Sequence, residues 1–265
     1  MDFLHLILLG LLQGLTEFLP VSSSAHLILL PLITEWQDQG LALDVAAHFG
    51  TLIAVIIYFQ KDIKNIIGNG IKSVPWQDNN IDARLFWFLG FATIPVSVVG
   101  YLGHDFISVY FRDPLIIAVT TILFGLLLWW ADAKGKQDRD KSTLCLKDTL
   151  WIGFAQVLAL IPGTSRSGIT MTAGLMLGLN RKTAVRFSFL LSIPVIFLAG
   201  SYETLSLIRD GESADVMSFA TVFILSWLTA WLTISLFLKF VDKTGMLPFV
   251  IYRLLLGSVL LYFFV

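Results

Sequence analysis

Apolar runs close to the length of a membrane span recur along this 265-residue chain, and they leave little room for any fold other than a bundle of membrane helices. A spanning helix needs about 20 predominantly apolar residues. Residues 44–59, 84–103, 114–131, 183–200, 217–237 and 247–265 supply six such segments, with most charges gathered between them. The chain is 56% hydrophobic and 14% charged, against roughly 45–50% and about 25% for soluble domains. The expected architecture is therefore an all-α integral membrane protein, a single membrane domain over residues 1–265. The start, MDFLHL, carries no Lys or Arg before its apolar run. It lacks the basic opening of a secretory signal, so the first segment is expected to belong to the fold.

Two further apolar segments are interrupted. Residues 4–19 and 22–33 are short helical pieces separated by Pro20 and a serine cluster, and residues 149–179 repeat the pattern around Pro162 and Gly163. Proline removes a backbone donor and disfavours helix at the residue before it, while Ser22 is a good N-cap for the piece that follows. Each interrupted segment reads as a re-entrant helical hairpin. Non-helical backbone at membrane depth is tolerated only inside protein or along a wet cavity, so each break implies a cavity.

The halves resemble each other beyond this order. Gly10-x-x-Gln13 matches Gly153-x-x-Gln156, Pro20-Val-Ser-Ser matches Pro162-Gly-Thr-Ser, and the run from Ala46 matches the run from Ala184. The reading is an inverted repeat of about 1–131 and 148–265, joined by loop 132–147. Each half is one re-entrant hairpin plus three transmembrane helices, and an odd number of spans inverts the second half. Charge agrees with that topology. With the N-terminus outside, loops 60–83, 132–147, 180–182 and 238–246 face the cytoplasm and hold nearly all the loop Lys and Arg. The outer loops hold only Arg112 and Arg209, as the positive-inside rule requires. The hairpin tips then face each other near the midplane.

Ionisable residues at membrane depth are costly and point to function. Gln13 and Glu17 are four apart on the first piece, as are Ser22 and His26 on the second, a spacing that shares one helix face. Ser23 and Ser24 lie between them. Thr164, Ser165, Arg166 and Ser167 arrive from the other hairpin. A permanently charged guanidinium suits bidentate phosphate binding, and helix N-termini after Pro20 and Pro162 add N–H donors for an anion. Together these groups suit a phosphate-bearing substrate embedded in lipid. Serines in membrane helices also bond back to their own helix, a reading that weighs most on Ser24 and Ser167. Glu17 with Arg166 as a structural ion pair is the competing reading of the charges. His48 and Arg186, at matching positions near helix starts, read as packing or snorkelling residues, and His5 and His104 as interfacial. Cys145 is the only cysteine, which excludes an intrachain disulfide framework and a thiolate metal cluster. Nothing in the charge pattern resembles a nucleic-acid surface.

The pair QGLTEFLPVSSSAH (13–26) and PGTSRSG (162–168) resembles the undecaprenyl-diphosphate phosphatases of bacteria, the bacitracin-resistance type, over essentially the whole chain. Gln13 stands where many members have Glu, and Ser24-Ala25 where Thr-Gly is frequent. The resemblance implies hydrolysis of the terminal phosphate of undecaprenyl diphosphate at the outer face of the bacterial plasma membrane. The product would be the monophosphate carrier lipid of cell-wall synthesis. It also implies a divalent cation, Mg2+ or Ca2+, with Glu17 as a ligand and Gln13 as at most a neutral one. A homodimer is compatible with it. On this reading Ser23 attacks phosphorus, Arg166 and hairpin N–H groups stabilise the phosphoryl oxygens, Glu17 holds the metal or orients His26, and His26 is the general base. Ser22, Ser24, Thr164, Ser165 and Ser167 line the phosphate. Water or His26 itself as nucleophile stays open. The rival class is a transporter or flippase of a phosphorylated lipid or anion, since broken helices in inverted repeats also build transporters.

Overall fold

A computed structural model describes residues 3–34, 36, 39–74, 80–111, 113–210 and 215–264. Arg112 and Glu212 lie outside the described residues. Among those described, the regular elements are helical apart from one isolated parallel bridge, Arg139 with Leu179. The helices are α1 (Phe3–Thr16), α2 (Ser23–Thr34), α3 (Leu41–Tyr58), α4 (Gln60–Gly70), α5 (Ile81–Tyr110), α6 (Pro114–Lys134), α7 (Leu146–Val157), α8 (Arg166–Met176), α9 (Arg181–Asp210), α10 (Val216–Thr244) and α11 (Leu247–Phe264). Six of them, α3, α5, α6, α9, α10 and α11, are long and apolar enough to cross a membrane. The chain is a multi-pass membrane protein.

Boundaries differ from expectation where loops were read from charge alone. Residues 201–210 continue α9 because no Gly or Pro after Gly200 stops it. Glu203 on that stretch pairs with His104 of α5 at 3.5 Å. At 30 residues each, α5 and α9 are about 45 Å long, more than the roughly 30 Å of hydrocarbon. Pro95 and Pro194 lie inside them without ending them. The expected loop 60–83 contains α4, whose Ile63, Ile66 and Ile67 form an i, i+3, i+4 apolar stripe while Lys61 and Lys64 stay exposed.

Close approach of backbones sets the packing. A Cβ at Gly50 of α3 would lie 2.0 Å from Ser226 Oγ, and one at Gly14 of α1 would lie 2.6 Å from the Ser226 carbonyl, so both helices press on α10. A Cβ at Gly153 of α7 would lie 2.8 Å from Ala92 of α5. Small residues let membrane helices approach in this way. Immediately beyond α1, Phe18 is fully buried and starts an aromatic chain through Phe189, Phe237 and Phe249, with centroid separations of 5.1, 5.9 and 5.0 Å. That anchor holds the first helix break in the core.

The polar stretch 132–147, which runs from the last turn of α6 into the first turn of α7, acts as a clasp. Asp132 accepts from Arg181 at 2.6 and 3.1 Å and from the Met246 amide at 3.1 Å. Arg139 grips Asp148 at 2.6 and 3.1 Å and also reaches the Leu177 and Thr143 carbonyls. Burial alone would raise the Asp148 carboxyl, but the Arg139 hydrogen bond and the Cys145 amide hold it below the usual range.

Candidate active site

The two helix breaks are built alike. After α1 the chain turns at Glu17–Val21, with the Val21 amide donating to the Leu19 carbonyl at 2.8 Å, and Pro20 contributes no donor. After α7 a 3-10 turn at Leu158–Leu160 leads into Pro162 and Gly163, whose φ is 89°. Each break ends on a serine with positive φ, Ser22 at 73° and Ser165 at 72°. Non-glycine residues rarely adopt this region, and where they do, strain of about 1–3 kcal/mol gathers at functional sites. Each of these serines caps the next helix by accepting an amide three residues on, Ala25 at 3.4 Å and Gly168 at 3.1 Å. Each hydroxyl also meets the serine two positions on, Ser24 at 3.3 Å and Ser167 at 3.2 Å. The backbone thus pairs Ser22 with Ser165, one residue beyond the match suggested by the prolines. This spacing is the one that relates Gln13 to Gln156, and both glutamines bury an Oε1 without a hydrogen-bond partner.

In this register Ser23 and Arg166 are equivalent first residues of α2 and α8, and they meet at Glu17. Arg166 donates to Glu17 Oε1 at 2.6 Å, Ser23 Oγ to Oε2 at 2.7 Å, and Gln13 Nε2 to Oε2 at 3.1 Å. His48 Nε2 of α3 lies 4.0 Å from the same oxygen. The Glu17 residue is 8% exposed and Ser23 half-buried, so the carboxylate is sheltered and the hydroxyl faces partly outward. Ser24 is exposed and lines, with His48 and Pro162, a cavity of about 270 Å³ beside this cluster.

His26 does not join them. Its Nδ1 contacts the Ser22 carbonyl at 2.7 Å and its Nε2 contacts the Tyr252 hydroxyl. A carbonyl only accepts, so Nδ1 carries a proton, and Nε2 pairs with the tyrosine hydroxyl. The expected contact of His26 with Ser23 or Glu17 is absent from the structure because both ring nitrogens are engaged elsewhere. Thr164 is wholly buried with Oγ1 unpartnered, and Ser167 donates to the Leu19 carbonyl at 2.8 Å, stitching one break to the other.

Two residues escaped the sequence reading. Arg253 of α11 is 0% exposed. It donates to the carbonyls of Gly163 at 2.8 Å, Thr121 at 3.0 Å, Pro20 at 3.4 Å and Thr120 at 3.5 Å, tying both breaks to α6. Its neighbour Tyr252 holds His26. The signal was present: an arginine in the middle of an apolar span is costly unless its donors find partners.

A divalent cation can be tested against these groups. Among the described residues no three His, Cys, Asp or Glu side chains converge. What is present is one carboxylate beside the unpartnered Gln13 amide oxygen. That set fits an ion held partly by a substrate's own phosphates, the usual mode of Mg2+.

Residues 6–259 match the family described as bacitracin resistance protein BacA. This chain belongs to that family. Among BacA-type relatives, "Undecaprenyl-diphosphatase 1" of Pseudoalteromonas translucida is 53% identical, over 99% of both chains. "Undecaprenyl-diphosphatase" of Nitrosococcus oceani is 52% identical over 100% of both. "Undecaprenyl-diphosphatase 2" of Stutzerimonas stutzeri is 52% identical over 100% of this chain and 99% of its own. The BacA match therefore extends over both helix breaks and into α11 as far as residue 259, past Tyr252 and Arg253.

Proposed function

We propose that this chain hydrolyses undecaprenyl diphosphate to undecaprenyl phosphate and inorganic phosphate, which returns the carrier lipid to cell-wall synthesis and confers bacitracin resistance. Full-length relatives carrying that name support the reaction. The observation that carries it at atomic level is Glu17, on which a hydroxyl from one helix break and a guanidinium from the other converge. Ser23 Oγ attacks the terminal phosphorus while its proton passes to Glu17 Oε2. The bond from phosphorus to the bridging oxygen breaks, and undecaprenyl phosphate leaves. Water then cleaves the phosphoserine, and Glu17 returns the proton to Ser23. Arg166 and the first amides of α2 and α8 take the phosphoryl charge. His26, engaged on both nitrogens, acts by fixing the Ser22 carbonyl and with it the strained turn that presents Ser23. Glu17 and Gln13 Oε1 would hold Mg2+ or Ca2+, which supplies charge neutralisation at the diphosphate.

The same proposal includes two re-entrant hairpins related by an inverted repeat. The matched caps support it, as does the exchange of neighbours, α1 packing on α10 where α7 packs on α5. It also includes residence in the bacterial plasma membrane with the site open to the outer face, supported by the basic loops on the other side. Purified protein in detergent should release phosphate from a polyprenyl diphosphate, and Ser23→Ala should lower turnover by about 1,000-fold or more. Full turnover by Ser23→Ala would remove serine from the mechanism. No release by the wild type, with transport in sealed vesicles, would put a lipid or anion transporter in its place.

A further inference from the structure

Water that cleaves the phosphoserine must give up a proton, and the groups that carry the first step cannot take it. Glu17 already holds the proton of Ser23 and has to return it. Arg166 is a permanent cation, Gln13 is a neutral amide, and His26 is engaged on both ring nitrogens. Three further ionisable residues, Asp44, His48 and His104, line the cavity of about 270 Å³ beside these groups. His104 pairs with Glu203 at 3.5 Å, and Asp44 accepts from Gln39 at 2.9 Å. His48 reaches the site. Its Nε2 lies 4.0 Å from Glu17 Oε2, the oxygen that also accepts from Ser23 at 2.7 Å.

The backbone of α3 sets which nitrogen faces the site. His48 Nδ1 contacts the Asp44 carbonyl, one turn back on the helix, at 2.8 Å. A carbonyl only accepts, so Nδ1 carries a proton, and the neutral ring presents its lone pair at Nε2, on the side of Glu17. At 4.0 Å the ring and the carboxylate are too far apart for a direct hydrogen bond. The gap suits a water or a phosphoryl oxygen between them. The His48 side chain is 36% exposed and that of Glu17 only 7%, so water from the cavity reaches the ring more readily than the carboxylate.

We propose, on the basis of the phosphatase reading above, that His48 is the general base of the second step. Its Nε2 takes a proton from the water whose oxygen attacks the phosphorus of phosphorylated Ser23. The bond from phosphorus to Ser23 Oγ breaks, Oγ recovers its proton from Glu17, and inorganic phosphate leaves with the proton that His48 had taken. The two half-reactions then use two bases, Glu17 for the serine and His48 for the water.

The test uses the full-length protein in detergent and a 15-carbon prenyl diphosphate radiolabelled in its terminal phosphate. His48→Ala and His48→Asn should form the prenyl monophosphate in the first turnover at a rate within about threefold of wild type. Both should then release labelled phosphate about 100-fold more slowly, the size of a lost general base, with the label held on Ser23. That first-turnover burst also reports that each variant is folded. Asparagine keeps an N–H near the Nδ1 position for the Asp44 carbonyl, so a packing or positioning role would leave its phosphate release near the wild-type rate. Imidazole added to His48→Ala should speed release at least tenfold and leave the wild type unchanged. Release within about threefold of wild type in both variants, or equal slowing of both steps with no labelled chain, would overturn the assignment. Rescue by imidazole without labelled Ser23 would overturn its place in the second step. A wild type that releases no phosphate and gains no label would instead sink the phosphatase reading itself.

Discussion

At the scale of single residues the site rests on one sheltered carboxylate with four neighbours. Removing one member of a buried ion pair leaves the other uncompensated and costs about 3–5 kcal/mol. Glu17→Ala should therefore destabilise the protein by that amount as well as abolish turnover, whereas Glu17→Gln combined with Arg166→Met should recover most of the thermal midpoint and none of the activity. A stable but inactive double variant separates the chemical role of the pair from its structural one. If Glu17→Ala unfolds at the wild-type midpoint, the pair contributes nothing to the fold. His26 offers a sharper distinction, because its Nδ1–H donates to the Ser22 carbonyl. Asparagine places an amide N–H near the Nδ1 position and glutamine reaches nearer Nε2. His26→Asn should keep kcat within about tenfold of wild type while His26→Gln falls much further, and equal losses would return His26 to the role of general base. Sequence spacing identified Glu17, Ser23 and Arg166 because polar side chains at membrane depth stand out. It did not foresee where His26 makes its contacts, because a four-residue spacing fixes a helix face but not the partner across it. That partner, Tyr252, is 226 residues away.

Elements show where local signals suffice and where tertiary context decides. All six spans were legible from their apolar length, and both breaks from proline and serine. The ends of α5 and α9 were not, because polar residues that can stay helical look like loop until a partner such as His104–Glu203 is known. Helix α4 was legible in its isoleucine stripe and was passed over because polar residues and glycines outnumber those isoleucines. What sequence could not give was the closeness of α1 and α3 to α10. Gly14→Val and Gly50→Val each force a side chain into backbone or hydroxyl atoms less than 3 Å away, and overpacking of this kind typically costs about 1–3 kcal/mol. Both should lower the thermal midpoint in detergent, while Gly90→Val, with nothing near its Cβ, should not. The clasp at Asp148 responds to acid. Its folded carboxyl titrates below the ordinary 3.8, so its contribution is present above that value and fades as pH falls through the folded one. Asp148→Asn should lose that contribution at neutral pH and flatten the acid limb of a stability profile.

For the molecule as a whole, two similarly built helix breaks meet at one asymmetric centre. Positions matched between the two breaks carry different chemistry: Ser23 and Arg166 follow the matching serine caps Ser22 and Ser165 yet supply a hydroxyl and a cation, and Glu17 has its counterpart at Leu160 in the register that pairs Gln13 with Gln156. The second break has no carboxylate of its own and instead lends its guanidinium to the first. Arg253 holds the two together by binding carbonyls from each. This architecture fixes which parts of the surface lie on which side of the membrane, and the native chain contains a probe. Cys145 is exposed and lies at the start of α7, in the basic loop between the halves. Ser24 is exposed in the cavity beside Glu17. If the site opens outward, a membrane-impermeant thiol reagent added to intact cells should leave the wild-type protein unlabelled and label it after lysis. Ser24→Cys in a Cys145→Ser background should show the opposite pattern, with labelling from outside. The two positions then lie on opposite faces, as an odd number of spans between the halves requires. Labelling of wild-type Cys145 in intact cells would invert the topology and put the phosphate site on the cytoplasmic side, and labelling of both cysteines from one side would rule out the inverted repeat.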